Sequence, residues 1–158
     1  MNMKLVEKLA KLIHEEYVEE CRKKGQTIET NPSMLPYKEL PDDLKSSNMD
    51  NASHIPYKMK IIGYKIRQVR KGIEPSVQKF TDAEIEEMAR CEHERWVKNR
   101  CEEGWVYGPV KDIERKVSPY MIPYDLLKED IKDYDRQTVR LIPQLLSRAG
   151  YEAYKFPY

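Results

Sequence analysis

The sequence has no run of about 18 apolar residues, so it offers no candidate for a membrane-spanning helix. Its opening stretch, MNMKLVEKLAKLIHEEY, alternates charge with leucine and lacks the apolar core of a signal peptide, so no secretory leader is expected. Glycine is scarce, at 6 residues, while Glu, Lys, Arg and Leu are plentiful, a balance that favours helix. Only 2 Phe and 2 Trp stand beside 11 Tyr, so aromatic area with a polar tip replaces much of the usual buried Phe. The 3 cysteines, Cys21, Cys91 and Cys101, form no C-x-x-C pair and leave an odd one over. That argues against a disulfide framework and fits a reducing cytoplasm. Neither sign of charge prevails: 28 Lys and Arg against 27 Asp and Glu give a net charge of +1. A binder of nucleic-acid polymers that works by field alone is therefore not expected, although a local basic pocket stays open.

What the chain does contain is itself, twice. Residues 10–25, AKLIHEEYVEECRKKG, align with residues 89–104, ARCEHERWVKNRCEEG, at an offset of 79. Ala10 meets Ala89, His14 meets His93, Tyr17 meets Trp96, Val18 meets Val97 and Gly25 meets Gly104. The offset then becomes 87, and NPSMLPYKEL (31–40) meets SPYMIPYDLL (118–127). Ile55-Pro56 meets Ile142-Pro143 and Gly63-Tyr64 meets Gly150-Tyr151 at the same offset. The difference, 87 − 79 = 8 residues, lies in the loop GWVYGPVKDIERKVS, which only the second copy carries in full.

Each copy reads helix, loop, Pro-Tyr turn, helix, short extended end. In the second, Thr81 with Glu84 predicts a capping box, and Phe80 with Ile85 a hydrophobic staple. Ile85, Met88, Ala89, His93, Trp96, Val97 and Arg100 follow helical spacing along one face, and Gly104 ends the helix as a left-handed residue would. In the first copy Leu5, Leu9, Leu12, Ile13 and Tyr17 repeat the pattern up to Gly25. Asp135, with Asn48 as its counterpart, is expected to cap the second helix, with Val139, Ile142, Leu145 and Leu146 facing inward. Pro56 and Pro143 fall within these helices and should kink them. Residues 67–81 join the copies, with Gly72 and Pro75 as breakers. Halves of about 65 residues are marginal alone. The expected architecture is mainly α: one compact domain over 1–158, with a shortened repeat at 3–66, a connector at 67–81 and a full repeat at 82–153, packed about a pseudo-twofold axis.

The string HERW, then GWVYGPVKD, MIPYDLL, YDRQTV and LLSRAGY resembles the RyR domain, the repeat that occurs in tandem pairs in the cytoplasmic shell of ryanodine receptors and in small prokaryotic and phage proteins. The resemblance covers most of the chain and implies a helical tandem pair with short antiparallel β pieces. It does not imply a calcium channel. One receptor pair resembles a site for adenine nucleotides, so the resemblance implies a regulatory module for a nucleotide-like ligand.

Several residues admit two readings. Trp96, four residues before Arg100, is either a core tryptophan beside a solvated arginine or a stacking surface with a cation set for phosphate. The matching family positions line the cleft between repeats. Tyr17 would then face Trp96 there, although Cys21 stands where the first repeat should have an arginine. Trp105 and Tyr107 share one side of an extended piece, and Trp105 reads best as packing over the helix end. Lys111 matches a basic position of the family motif, although it can equally be plain surface charge. His14 and His93 read as buried, hydrogen-bonded residues positioning a turn. No Ser-His-Asp or Cys-His arrangement, metal-ligand spacing, Walker loop or GxGxxG stretch is present, so no enzyme, metal or cofactor is expected. Ser118, after Arg115-Lys116, is a weak candidate for phosphorylation. The leading expectation is a cytoplasmic, non-enzymatic module binding a nucleotide-like ligand through Tyr17, Trp96, Arg100, Trp105, Tyr107 and Lys111. The alternative is a structural or protein-interaction module that uses its exposed loop on a partner or a second copy.

Overall fold

A computed structural model describes residues 1–70, 72–73 and 77–155. The chain is mainly helical and divides into two compact units. One comprises Met1–Gln78 with Pro143–Tyr158, and the other comprises Lys79–Ile142. The division does not follow the repeat boundaries, because the end of the second repeat belongs with the first.

In the first unit, α1 (Met3–Lys23) starts at Asn2, whose side chain accepts from the Leu5 amide and so satisfies one of the helix's unpaired donors. Its buried stripe is Leu5, Val6, Leu9, Ala10, His14, Val18 and Cys21. Full burial of a side chain such as Leu9 contributes about 1.5–3 kcal/mol. Tyr17 departs from the expected inward face: it is 44% exposed, because Val18 and Cys21 take the core positions beside Met34. Two 3-10 turns (Pro32–Met34 and Tyr37–Glu39) lead to α2 (Asp42–Ser53) and α3 (Ile55–Ile61). Pro56 sits in the first turn of α3, so the expected kink is a break into two helices at His54. The strand β1 (Tyr64–Gln68) follows. Arg67 and Gln68 are thus part of a strand and not of the connector. Gly72 has φ +82, as a breaker requires, while Pro75 lies outside the described residues.

In the second unit, α4 (Asp82–Glu102) has the full capping box at Thr81 and Glu84, and both members of the expected staple, Phe80 and Ile85, are buried. Two short strands, β2 (Val106–Tyr107) and β3 (Val117–Ser118), frame the eight-residue insertion. They pair in parallel, not antiparallel, with an antiparallel bridge between Asp112 and Val117 tightening the loop. A 3-10 turn (Tyr124–Leu126) leads to α5 (Glu129–Arg140).

The expected caps at Asp135 and Asn48 are wrong. Both residues lie inside helices, since α5 begins with Glu129 and Asp130 in its first turn and α2 with Asp42 and Asp43. Those acidic residues suit the positive end of the helix dipole and start each helix earlier. Asp135 instead meets His93. The helix α6 (Ile142–Arg148) and strand β4 (Tyr151–Lys155) complete the chain's described part. Val139, Ile142, Leu145 and Leu146 are buried as expected. Within the first unit, β4 runs antiparallel to β1, with Arg67 opposite Glu152 and the two joined by an ion pair of 2.7 Å. Arg148 adds bonds to Glu15 and Glu16 of α1. Among the described residues, no helix is long and apolar enough to cross a membrane.

Candidate functional site

The two histidines show how each Pro-Tyr turn is held. His93 is buried and its Nε2 lies 2.6 Å from the Ile122 carbonyl, while His14 is buried and its Nε2 lies 2.6 Å from the Leu35 carbonyl. A carbonyl only accepts, so each Nε2 carries a proton and donates it. Leu35 and Ile122 are matched positions of the repeat and immediately precede Pro36-Tyr37 and Pro123-Tyr124. The ring neighbours also recur: His14 stacks near Tyr17 at 6.1 Å, and His93 near Trp96 at 5.8 Å.

The second copy adds a carboxylate. His93 Nδ1 lies 3.5 Å from Asp135 Oδ2. Burial works against the imidazolium, but the bond to Asp135 and the Ile122 carbonyl outweigh it, so the His93 pKa is raised. Beside them Glu92 and Arg95 form a buried pair on α4 at 2.6 Å. On the far side of the turn, Tyr124 is buried and donates to Glu86 at 2.7 Å. Burial and the Glu86 carboxylate both push the Tyr124 hydroxyl up. Arg136 gathers Glu86, Glu129 and Asp133; they hold its charge, and its guanidinium lowers the Glu86 and Glu129 carboxyls.

The end of α4 builds the aromatic face. Gly104 has φ +91 and donates to Cys101, and the next amide, Trp105, donates to Arg100 at 2.9 Å. This is a Schellman ending, which brings the side chains of Arg100 and Trp105 together. The first repeat ends α1 the same way: Gly25 donates to Arg22 and Gln26 to Cys21. There the residues at the two positions are Cys21 and Gln26, and Asn31 bonds to both side chains. In the second repeat they are an arginine and a tryptophan.

Arg100 consequently lies against both tryptophans of the chain, its guanidinium carbon 5.5 Å from the Trp96 ring and 5.3 Å from the Trp105 ring. Each contact is a cation–π attraction on the order of 0.5–1 kcal/mol at a partly exposed site. Arg100 is also paired with Glu103 at 3.2 Å. Lys116, in a left-handed conformation with φ 56, donates to the Glu103 carbonyl at 2.8 Å and neutralises the end of the helix. Trp96, Arg100 and Trp105 are all half-buried, so the face is formed but reachable.

Of the six expected ligand residues, Trp96, Arg100 and Trp105 are brought together. Tyr107 and Lys111 are exposed on the insertion, and neither makes a ring or ion contact with the other three. Tyr17 belongs to the other unit, where its hydroxyl accepts from Asn31 Nδ2 at 3.0 Å, and Asn31 also donates to Gln26. Partial burial raises the Tyr17 hydroxyl despite that bond. Ser118 is buried and accepts from the Tyr120 amide, so in this fold its hydroxyl is closed to a kinase. Sequence reasoning missed Glu103, Asp135 and Lys116. Only Glu103 had a legible signal, its i+3 spacing from Arg100.

A comparison with protein-family models matches residues 74–155, just over half the chain, to the RyR domain. The chain belongs to that family. The matched span holds α4 with its aromatic end, the insertion, the Pro123-Tyr124 turn held by His93, and β4.

Proposed function

We propose that the protein is a non-enzymatic, cytoplasmic regulatory module that senses a nucleotide-like ligand through the end of α4. The observation that carries this is the placement of Arg100 between Trp96 and Trp105, with Glu103 as its present anionic partner. Two indole rings offer flat area for a base, since base stacking on an aromatic ring contributes about 1–3 kcal/mol. A guanidinium beside them suits phosphate oxygens, which would take the place of the Glu103 carboxylate. Lys111, exposed on the insertion, adds a second cation. The same reading takes the chain as a tandem pair of RyR repeats. Its support is the recurrence of the histidine–carbonyl bond and the Schellman ending at matched positions. The cytoplasmic assignment rests on three cysteines without a disulfide framework.

Calorimetry with ATP, cyclic nucleotides and ADP-ribose tests the proposal. Trp96→Ala and Arg100→Ala should each weaken binding about tenfold or more, an arithmetic of roughly 1.4 kcal/mol per contact. Glu103→Gln should strengthen it by freeing Arg100. Tyr17→Ala reports whether the first repeat takes part. Absence of heat with every nucleotide would refute the reading.

A second reading, docking of a protein partner or a second copy, has its own observation. Val106, Tyr107, Val110 and Ile113 of the insertion are all more than half exposed. Replacement of Val106, Val110 and Ile113 by serine would abolish such an association and leave nucleotide binding intact.

A further inference from the structure

The first unit contains a cavity of about 630 Å³ between the start of α1, α3 and the β1–β4 ribbon. We infer that this cavity is a binding site for an amphipathic carboxylate, a medium-chain fatty acid by chemistry, and that it is separate from the aromatic face of α4.

The cavity's shape follows from the chain. The helix α3 ends at Ile61 and the chain turns through Ile62 and Gly63 into β1, so the last turn of α3 and the first strand residues become two walls of one hollow. The floor is apolar: Leu5 from α1 and Met59 from α3 are both buried, and Ile66 faces in from β1. Tyr64 and Tyr151 complete the lining. Volume and lining fall in the range of small-molecule sites, which run from about 300 to 1,000 Å³ and are mostly apolar.

The polar groups are of one sign. Lys60 and Lys65 line the cavity, and no aspartate or glutamate does, among the described residues. Lys155 does not line the cavity, but its Nζ lies 6.0 Å from the centre of the ring of Tyr64, which does. In a chain whose charges almost cancel, that segregation is a local property. An apolar interior with a cationic rim is complementary to a single-tailed anion, tail in and head out. It disfavours a cation with the same tail by like-charge contact with the lysines.

The experiment is calorimetric titration of the whole protein with straight-chain carboxylates of increasing length, from acetate to decanoate. The expected result is saturable one-to-one binding of decanoate and none of acetate. Affinity should rise along the series by up to about fourfold per buried methylene, the transfer free energy of one methylene converted to a ratio. Decyltrimethylammonium, which has the same tail with a positive head, should not bind. Lys60→Glu, at an exposed position whose replacement spares the core, should weaken decanoate about tenfold, the scale of reversing one partly exposed charge contact. Trp96→Ala should leave decanoate affinity unchanged, so this result and the nucleotide result stand or fall separately. The inference is overturned if no carboxylate saturates, if the cation binds as well as the anion, or if Lys60→Glu binds decanoate as the native protein does.

Discussion

Replacing Asp135 with asparagine makes the second repeat copy the first, where Asn48 holds the matched position. In the native protein His93 Nε2 donates to Ile122, so the proton that makes the ring an imidazolium is taken up at Nδ1, facing Asp135 Oδ2 at 3.5 Å. Burial opposes that charge, but Asp135 and the Ile122 carbonyl more than offset it, and the His93 pKa rises. Burial likewise pushes the Asp135 carboxyl up, with His93 only partly restoring it. Both directions say that the pair holds a proton to higher pH than its members do in the unfolded chain. The folded state then binds more protons than the unfolded one near neutrality, so stability falls as pH rises. The contribution is complete below the unfolded imidazole value, about 6.5, and is lost as pH passes through the raised folded value. One proton of difference sets a limiting slope of about 1.4 kcal/mol per pH unit. Asparagine cannot carry the proton. Asp135→Asn should therefore cost about 1–3 kcal/mol at pH 6, and the deficit should narrow toward pH 9. Urea unfolding of both proteins, followed by circular dichroism at half-unit steps of pH, measures it. Parallel pH profiles for the two would refute the argument.

Three further expectations concern the same unit. Gly104→Ala places a Cβ on a residue with φ +91 in otherwise open space, so the cost is purely conformational. It should be about 1 kcal/mol in the unfolding free energy, and no loss would mean that the Schellman ending is dispensable. Arg136→Ala releases Glu86, Glu129 and Asp133 together. Because the carboxylates are largely solvated, the expected loss is only about 1–2 kcal/mol, and it should shrink in molar salt. Ser118→Glu forces a carboxylate into a buried position whose native hydroxyl bonds to Tyr120. It should lower the melting temperature by several degrees, on the scale of about 2 kcal/mol, and an unchanged melting curve would show that the insertion opens freely.

Much of this molecule was legible in the residues, because the signals are local. The capping box at Thr81 and Glu84 and the stop at Gly104 depend on a few neighbouring dihedrals, and each lies where its motif placed it, whereas Pro56 and Pro143, expected to kink a helix, sit at the starts of α3 and α6. The repeat also announced the buried histidines, since one imidazole at one register on two apolar helix faces needs a partner in each. What escaped were partnerships that no single motif specifies. Asp135 has the chemistry of a helix cap and sits mid-helix against His93, because Glu129 and Asp130 had already begun the helix. Arg100 reads as a free cation until the turn of Gly104 lays Trp105 on it and Glu103 reaches back to it.

Composition and spacing alone therefore determined a mainly helical chain, the ends of its long helices, and most of the residues that face inward, because those properties are set by backbone preference and hydrophobic period. Only the tertiary structure decided that β4 pairs with β1 and that Leu5, Lys60 and Tyr151 border one hollow. Those depend on which surfaces meet across long stretches of chain, and nothing in the nearest neighbours of a residue carries that information.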